Sequence, residues 1–184
     1  SKKLDLSSIK IITSTGSPLA EESFKYVYKN IKRDVHLASI AGGTDLVGCL
    51  VLGNLYSNVH KGEIQGQSLG IDVDVFTDNG KSTKDGDKGE LVVKKPFPSM
   101  PVKFWGDIDG QKYHKAYFTR FENIWHHGDF IERTSNNGFI MRGRSDSTLN
   151  PGGVRIGTSE IYQQVEDIDF ITEGLVVGQD FKDD

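Results

Sequence analysis

The sequence predicts an α+β protein made of three consecutive parts. Strand-like and helix-like runs alternate over the first fifty residues, short strands separated by turns fill residues 51–144, and a new helix begins in the last forty residues. Alternation of strands with a helix is typical of a parallel α/β layer, and short turn-separated strands are typical of a small antiparallel barrel or sheet. We therefore expect an α/β piece over 1–50, a β-barrel subdomain over 51–144 and a separate unit over 145–184.

The first part has the pattern strand, helix, strand. Residues 9–14 form a β-rich run that leads into Gly16, Ser17 and Pro18. Residues 19–31 carry apolar side chains at helical spacing, and Pro18 stands where a helix would start. A second apolar run follows over 35–40. This order predicts two parallel strands joined by a helix.

The second part is a series of short strands. Residues 70–76 alternate with the period of two that is typical of a half-buried strand. Further strands are expected at 89–93, 123–131 and 138–142. Turn-forming residues separate them at 77–80 and at 136–138, and the second of these turns predicts a hairpin. The series predicts antiparallel pairing.

A cluster of turn-forming residues separates the third part from the second. The stretch 143–153 holds three glycines and one proline, and it places Arg144 and Asp146 among them. Beyond it, residues 159–165 predict a helix and residues 174–177 predict a strand. We interpret the stretch as a hinge between two domains, because a few residues at such a boundary absorb the backbone changes of domain closure.

The composition excludes several classes of function. Lys and Arg number 22 against 26 Asp and Glu, a net charge of −4, so no nucleic-acid partner is expected. The longest apolar stretch, 47–55, is too short to cross a bilayer, so no membrane partner is expected. The single cysteine, Cys49, and the absence of a signal-peptide pattern predict a reducing, cytoplasmic location.

Gly42, Gly43, Thr44 and Asp45 follow directly after the second predicted strand. The carboxyl ends of strands in an open α/β sheet are where ligands bind. Glycines let the backbone approach a ligand, the Thr44 hydroxyl can donate to a phosphate oxygen, and the Asp45 carboxylate can hold Mg²⁺. The alternative is a loop that caps a helix.

Three further charged residues are candidates for a nucleotide site. Asp129 follows a glycine, and its carboxylate can accept hydrogen bonds from both hydroxyls of a ribose, the alternative being an exposed residue at a strand end. Arg144 can form a charge-assisted bond to a sugar or phosphate, and Asp146 lies at the expected domain boundary. For Arg144 and Asp146 the alternative is a surface ion pair. His126 and His127 are adjacent, so on a strand they face opposite ways and support no metal site.

Six motifs, taken in their order and spacing, resemble the adenylate-forming superfamily of acyl-CoA synthetases, luciferases and peptide-synthetase adenylation domains. They cover nearly the whole chain and lie at 16–19, 42–45, 89–93, 127–129, 143–146 and 153–156. The family makes an acyl-adenylate from a carboxylate and Mg-ATP, rotates a small C-terminal domain and passes the acyl group to the thiol of CoA. The resemblance therefore implies ATP, Mg²⁺ and CoA as ligands, and a mobile α+β domain after residue 144.

The resemblance also implies roles for the residues near the first two strands. Residues 16–18 would line the adenine pocket, beside the backbone of Gly42 and Gly43. Thr44 would contact the α-phosphate. Asp45, where most members have glutamate, would help hold Mg²⁺. Thr44 and Asp45 would thus be the catalytic residues of this chain.

The remaining candidates have implied roles around the ribose and the hinge. Asp129 would bind the ribose hydroxyls with support from Arg144, and Asp146 would be the hinge residue. Gly153 and Arg155 would lie on the loop that enters the site when the thioester forms.

The segments 96–101, 104–107 and 125–130 resemble members of the family that activate acetoacetate. Acetyl-CoA synthetases carry a large aromatic residue in the segment that matches Ala41, where it closes the acyl pocket. Ala41 leaves room for a longer acid, because an indole fills the space that a four-carbon acid needs. Acetoacetate is the implied substrate. The alternatives are propionate or a hydroxybutyrate, a non-catalytic nucleotide-binding module, and a structural barrel with accidental matches.

Two elements of the family's machinery are expected outside this sequence. The Gly/Ser/Thr-rich phosphate loop should lie before Ser1, and the lysine that drives adenylation should lie after Asp184. Both stabilise the charge of the transferring phosphoryl group. We therefore expect the chain to be an internal fragment that is inactive alone, with the remainder of the adenylation and C-terminal domains as its partners.

Overall fold

The computed structural model describes residues 4–149, 155–166, 168 and 170–178. The strands are β1 (Ile11–Ser14), β2 (His36–Ser39), β3 (Ala41–Gly43), β4 (Gly48–Leu52), β5 (Gly66–Gln67), β6 (Val73–Phe76), β7 (Lys88–Val93), β8 (Trp125–Arg133) and β9 (Phe139–Arg144). The helices are α1 (Glu21–Tyr26), which continues as a π-helical segment (Val27–Ile31), α2 (Gln111–Tyr117), a 3₁₀ turn (Ser145–Ser147) and α3 (Thr158–Glu166). The predicted α+β class is confirmed.

The predicted strand, helix, strand unit is present at the start of the chain. β1 and β2 pair in parallel, from Ile11 opposite His36 to Ser14 opposite Ser39. The helix between them buries Phe24, which is 2% exposed. Parallel strands end at the same edge of a sheet, so the segments after β1 and β2 lie side by side there.

Seven antiparallel strands form two sheets that one backbone bridge connects. β3, β4 and β5 form one sheet, and β6, β7, β8 and β9 form the other, in that order. Ile64 and Phe139 exchange two backbone hydrogen bonds, of 2.7 and 2.8 Å, between the sheets. In the described residues β3 and β6 stay edge strands, so the sheets are open and the closure of the predicted barrel is not confirmed.

β7 has buried side chains on both of its faces. Leu91 and Val93 pack in the main core, which also holds Trp125. Val92 points the other way, into a smaller cluster with Phe76. Because successive side chains of a strand face opposite sides, this double burial explains why residues 91–93 are apolar without alternation.

Both predicted turns are confirmed. Gly80 donates its backbone N–H to the carbonyl of Thr77 at 2.9 Å, and its φ of +70° lies in the left-handed region that favours glycine. In the hairpin between β8 and β9, the backbone N–H of Asn137 donates to the carbonyl of Thr134, and Asn137 has a φ of +59°. Asparagine tolerates that conformation better than most residues.

One local expectation is wrong, and two elements were not expected. The predicted strand at 174–177 is absent, because residues 171–178 pair with no strand among the described residues. The apolar stretch 47–55 contains β4, which sequence reasoning did not assign. Helix α2 was also missed; Asp107 fixes its start by accepting backbone hydrogen bonds from Lys112 and Tyr113.

Two further points concern the domain boundary and the length of the helices. The domain boundary after residue 144 remains a prediction. Within the described part of the chain, no helix has the length and the apolar character needed to span a bilayer.

Candidate functional site

Two cavities flank the backbone at Gly42 and Gly43. The first has a volume of about 680 Å³, and the second of about 600 Å³. The candidate residues that line the first are Gly16, Ser17, Pro18, Ala41, Gly42, Gly43, Thr44, Asp129 and Arg144. Those that line the second are Gly42, Gly43, Asp45, Arg144 and Asp146. The structure thus brings together eleven of the thirteen candidates; Gly153 lies outside the described residues, and Arg155 lies elsewhere.

The parallel pairing of β1 and β2 explains why distant residues meet at the first cavity. The turn with Gly16 follows β1, and β3 follows β2 after a single residue. Gly16 has a φ of +92°, which suits glycine at this turn. β8 and β9 add Asp129 and Arg144, which stand opposite each other in the ladder.

Gly42 is a glycine because the neighbouring strand leaves no room for a side chain, whereas Gly43 is crowded mainly by the movable carboxylate of Asp45. A β-carbon at Gly42 would lie 2.1 Å from the carbonyl oxygen of Gly48 on the neighbouring strand. A β-carbon at Gly43 would lie 2.0 Å from Oδ1 of Asp45 and 3.0 Å from Cε1 of His127. Protein packing alone therefore requires glycine at position 42, whether or not a ligand approaches it.

Asp129 is buried, unlike the exposed strand-end residue of the alternative interpretation. The residue is 7% exposed. Nη1 of Arg144 donates to its Oδ1 at 3.1 Å, and Nε2 of His127 lies 3.6 Å from its Oδ2. Burial raises the pKa of Asp129 above its ordinary value, and the neighbouring His127 and Arg144 side chains act against that rise. A carboxylate held between two nitrogen groups at a cavity wall is suited to accept hydrogen bonds from a diol.

Arg144 is shared between Asp129 and Asp146. Its Nη1 also donates to the carbonyl of His127 at 3.2 Å, and its Nε lies 3.7 Å from Oδ1 of Asp146. The Arg144 and Asp146 side chains are 54% and 77% exposed, so their ion pair contributes little to stability. Asp146 lies in the 3₁₀ turn directly after β9.

Asp45 faces the second cavity, whereas its neighbour Thr44 faces the first. The Tyr117 hydroxyl donates a hydrogen bond to Oδ2 of Asp45. No group of three or more metal-binding side chains exists in the residues that the structure describes. A single oriented carboxylate nevertheless fits Mg²⁺ in a nucleotide site, because that ion is usually held by one or two carboxylates together with substrate phosphates.

Arg155 lines neither cavity and packs against side chains of the four-stranded sheet. Its guanidinium carbon stands 4.2 Å above the centre of the Phe130 ring. Its Nη1 is 2.7 Å from Oε1 of Glu90 and 3.2 Å from Oδ1 of Asp78. In this conformation Arg155 therefore binds the sheet and not the site that the resemblance implies.

Glu90 is a fully buried carboxylate that sequence reasoning did not single out. It is 0% exposed, and its Oε2 accepts hydrogen bonds from Nε2 of His126, at 2.8 Å, and from the hydroxyl of Ser145. Burial favours the protonated acid, but the hydrogen bonds from His126, Ser145 and Arg155 and the charge of Arg120 outweigh it and lower the pKa of Glu90 to about 2. The detectable signal was a glutamate inside an otherwise apolar strand.

Tyr117, which lines the second cavity, and Trp125, which supports its ring, are two further residues that the sequence did not reveal. Their rings stack 3.7 Å apart with an interplanar angle of 12°. Tyr117 lies 72 residues from Asp45, in a helix that was not predicted. No local pattern in the sequence indicates that contact.

The described residues share their fold with part of a solved CoA ligase. The solved structure of the anthranilate CoA ligase AuaEII, in complex with anthranoyl-AMP, aligns with a TM-score of 0.70 over 88% of this chain and 29% of that protein. The sequence identity is 18%, so this likeness concerns the fold alone.

The chain is similar in sequence to acetoacetyl-CoA synthetases. It is 61% identical over 180 residues to the enzyme of Rhizobium meliloti. The aligned residues are 98% of this chain and 28% of that protein. The solved acetoacetyl-CoA synthetase from Streptomyces lividans aligns with a TM-score of 0.85 and 41% identity, over 95% of this chain and 27% of that one. The resemblance to the adenylate-forming enzymes is confirmed, and the chain spans just over a quarter of the length of these relatives. No family model matches the chain.

Proposed function

We propose that this chain forms the nucleotide-binding and acid-binding part of an acid–CoA ligase that activates acetoacetate with ATP. One observation carries the proposal: candidate residues from four separate stretches of sequence line one cavity. Its volume of about 680 Å³ lies within the range of small-molecule sites, roughly 300–1,000 Å³. The similarity to acetoacetyl-CoA synthetases supports the choice of substrate.

In the proposed first step, a carboxylate oxygen of the acid attacks the α-phosphorus of ATP. Pyrophosphate leaves with the electron pair of the broken P–O bond. Residues 16–18 bind the adenine, Asp129 accepts hydrogen bonds from the ribose, and the Thr44 hydroxyl donates to the α-phosphate. These contacts hold the reacting atoms in line, which is the main contribution of proteins to phosphoryl transfer.

Asp45 would contribute a carboxylate oxygen to Mg²⁺, whose charge offsets the charge of the phosphates. In the proposed second step, the CoA thiol attacks the acyl carbon and AMP leaves. Arg155 and Gly153 would reach the site for this step, so Arg155 would first have to leave Glu90. Asp146, at the end of β9, is the proposed hinge for that movement.

Ala41 is the proposed wall of the acid pocket, and it lines the first cavity beside Gly42. In the full-length polypeptide that carries this sequence, Ala41→Trp is expected to shift the preference from acetoacetate toward acetate, because an indole fills the space of the longer acid. The measurement is the ratio of kcat/KM for the two acids. Ala41→Gly is the matched variant, and it should keep the preference for acetoacetate. An unchanged ratio in Ala41→Trp would remove Ala41 from the pocket.

Two other functions remain open. A ligase for propionate or a hydroxybutyrate would use the same residues and differ only in the ranking of acids by kcat/KM. A non-catalytic nucleotide-binding module would bind nucleotide without exchanging pyrophosphate into ATP. Assays of these two quantities on the full-length polypeptide separate the three candidates.

The test of the proposed function is calorimetric titration with a non-reactive analogue of acetoacetyl-adenylate. The full-length polypeptide is expected to bind the analogue more tightly than AMP, because the acid and the nucleotide are held together. Absence of binding would overturn the proposal. Residues 1–184 titrated alone report whether the adenine and ribose contacts form without the rest of the polypeptide.

A further inference from the structure

Tyr117 joins the Asp45 carboxylate to the buried core of the four-stranded sheet. Its ring lies flat on Trp125, which is 1% exposed. Its hydroxyl, at the other end of the same side chain, donates to Oδ2 of Asp45.

Asp45 has few other constraints on its conformation. It lies exposed in the turn between β3 and β4. Among the described residues, Tyr117 is the one side chain that hydrogen-bonds to it. Gly43 leaves the space that the carboxylate occupies, since a β-carbon there would lie 2.0 Å from Oδ1. Without the tyrosine hydroxyl, rotation about the side-chain bonds of Asp45 would be free.

Trp125 also contacts His127, which in turn faces the Asp129 carboxylate. The Trp125 and His127 rings are near-parallel, with centres 6.4 Å apart, and Nε1 of Trp125 donates to Nδ1 of His127 at 3.4 Å. Nε2 of His127 faces Asp129 at 3.6 Å. One buried indole therefore sets the positions of groups that contact both Asp45 and Asp129.

We propose that Tyr117 is a positioning residue that holds the Asp45 carboxylate toward the second cavity, where it binds the divalent cation of the nucleotide. The inference rests on the proposed function, which needs a cation at Asp45. Tyr117 itself lines that cavity beside Asp45. A hydrogen bond to a metal-binding carboxylate fixes its orientation, and loss of such a bond typically lowers metal affinity about 10- to 100-fold.

The test removes the Tyr117 hydroxyl and keeps the ring that stacks on Trp125. In the full-length polypeptide, Tyr117→Phe is expected to raise the dissociation constant of Mn²⁺, measured by electron paramagnetic resonance with α,β-methylene-ATP present, by about tenfold. Tyr113→Phe is the matched control, because Tyr113 lies on the same helix, contacts Trp125 and donates its hydroxyl to the carbonyl of Pro101 instead. The control should leave Mn²⁺ affinity unchanged.

A double-mutant cycle with Asp45→Asn distinguishes positioning from general loosening of the site. If Tyr117 acts through Asp45, adding Tyr117→Phe to Asp45→Asn should weaken Mn²⁺ binding no further. Equal or tighter Mn²⁺ binding in Tyr117→Phe alone would overturn the inference, and so would additive losses in the cycle. An Asp45→Asn variant that binds Mn²⁺ like the unmodified protein would instead contradict the proposed role of Asp45.

Discussion

Replacing Asp129 with alanine in the full-length polypeptide is expected to weaken binding of AMP and of the acyl-adenylate analogue about a hundredfold. The carboxylate is buried at the wall of the first cavity and is held by Arg144. Two hydrogen bonds from ribose hydroxyls to a charged acceptor are worth roughly 3 kcal/mol together, or two powers of ten in affinity. Calorimetric titration measures the change.

The design must separate loss of binding from loss of folding. Arg144 is half exposed and can be solvated when its partner is removed, so the fold should survive Asp129→Ala. Thermal unfolding of the variant checks this. Asp85→Ala is the matched control, since Asp85 is exposed and far in sequence from the cavity residues. Unchanged affinity in a folded Asp129→Ala protein would remove Asp129 from the ribose site.

The largest effect on stability is expected from Glu90→Ala. This change leaves His126, Arg120 and Arg155 around an empty buried position. Removing one partner of a buried ion pair typically costs about 3–5 kcal/mol, because the remaining charges stay desolvated and unpaired. Urea unfolding measures the loss in free energy. Glu122→Ala, at an exposed position, is the control, and a loss at Glu90 no larger than at Glu122 would contradict the role given to the network.

The same carboxylate predicts how stability depends on pH. Glu90 has a pKa of about 2 in the folded protein, below its ordinary value of 4.5. A group whose pKa is lowered by folding stabilises the protein fully above its unfolded pKa, and that contribution is lost as the pH falls toward the folded pKa. The contribution, about 3 kcal/mol, should therefore disappear between pH 4.5 and pH 2.

A variant that does not titrate isolates this contribution. Glu90→Gln keeps the size of the side chain and carries no ionisable group at that position. The difference in unfolding free energy between the unmodified protein and Glu90→Gln should shrink as the pH is lowered from 5 to 3. A difference that stays constant over that range would show that Glu90 does not contribute in this way.

The sequence predicted those parts of the fold whose signals are local. β7 and the hairpin before β9 were recognisable because apolar runs end in residues that favour turns. The expected strand at 174–177 failed because a strand needs a partner: Leu175 and Val177 are 84% and 72% exposed, and no strand in the described region pairs with them.

Helix α2 shows why other elements could not be predicted. It has seven residues, of which Tyr113 and Tyr117 pack their rings against Trp125. Tyrosine has only moderate helix propensity, and so short a helix depends on tertiary packing for its stability. The contact that stabilises it joins distant parts of the chain, and periodicity cannot reveal such a contact.

The candidate site also has a part that could be predicted from the sequence and a part that could not. Residues after β1 and β2 were predictable, since parallel strands bring their carboxyl ends to one edge. The location of Arg155 was not, because it depends on a buried carboxylate and an aromatic face on strands far away in sequence. The motif shows only where Arg155 lies along the sequence. Its contacts depend on which residues the fold brings next to it.

The backbone of Gly42 and Gly43 lines both cavities and is a wall that they share. A ligand that moves these peptide groups in one cavity therefore also moves a wall of the other cavity. At Gly42 a β-carbon would meet the backbone of β4, so a side chain there cannot be added to this shared wall without moving that strand. Adaptation of either cavity to a new occupant is therefore expected at residues that border this wall, such as Ala41 in the first cavity and Asp45 in the second.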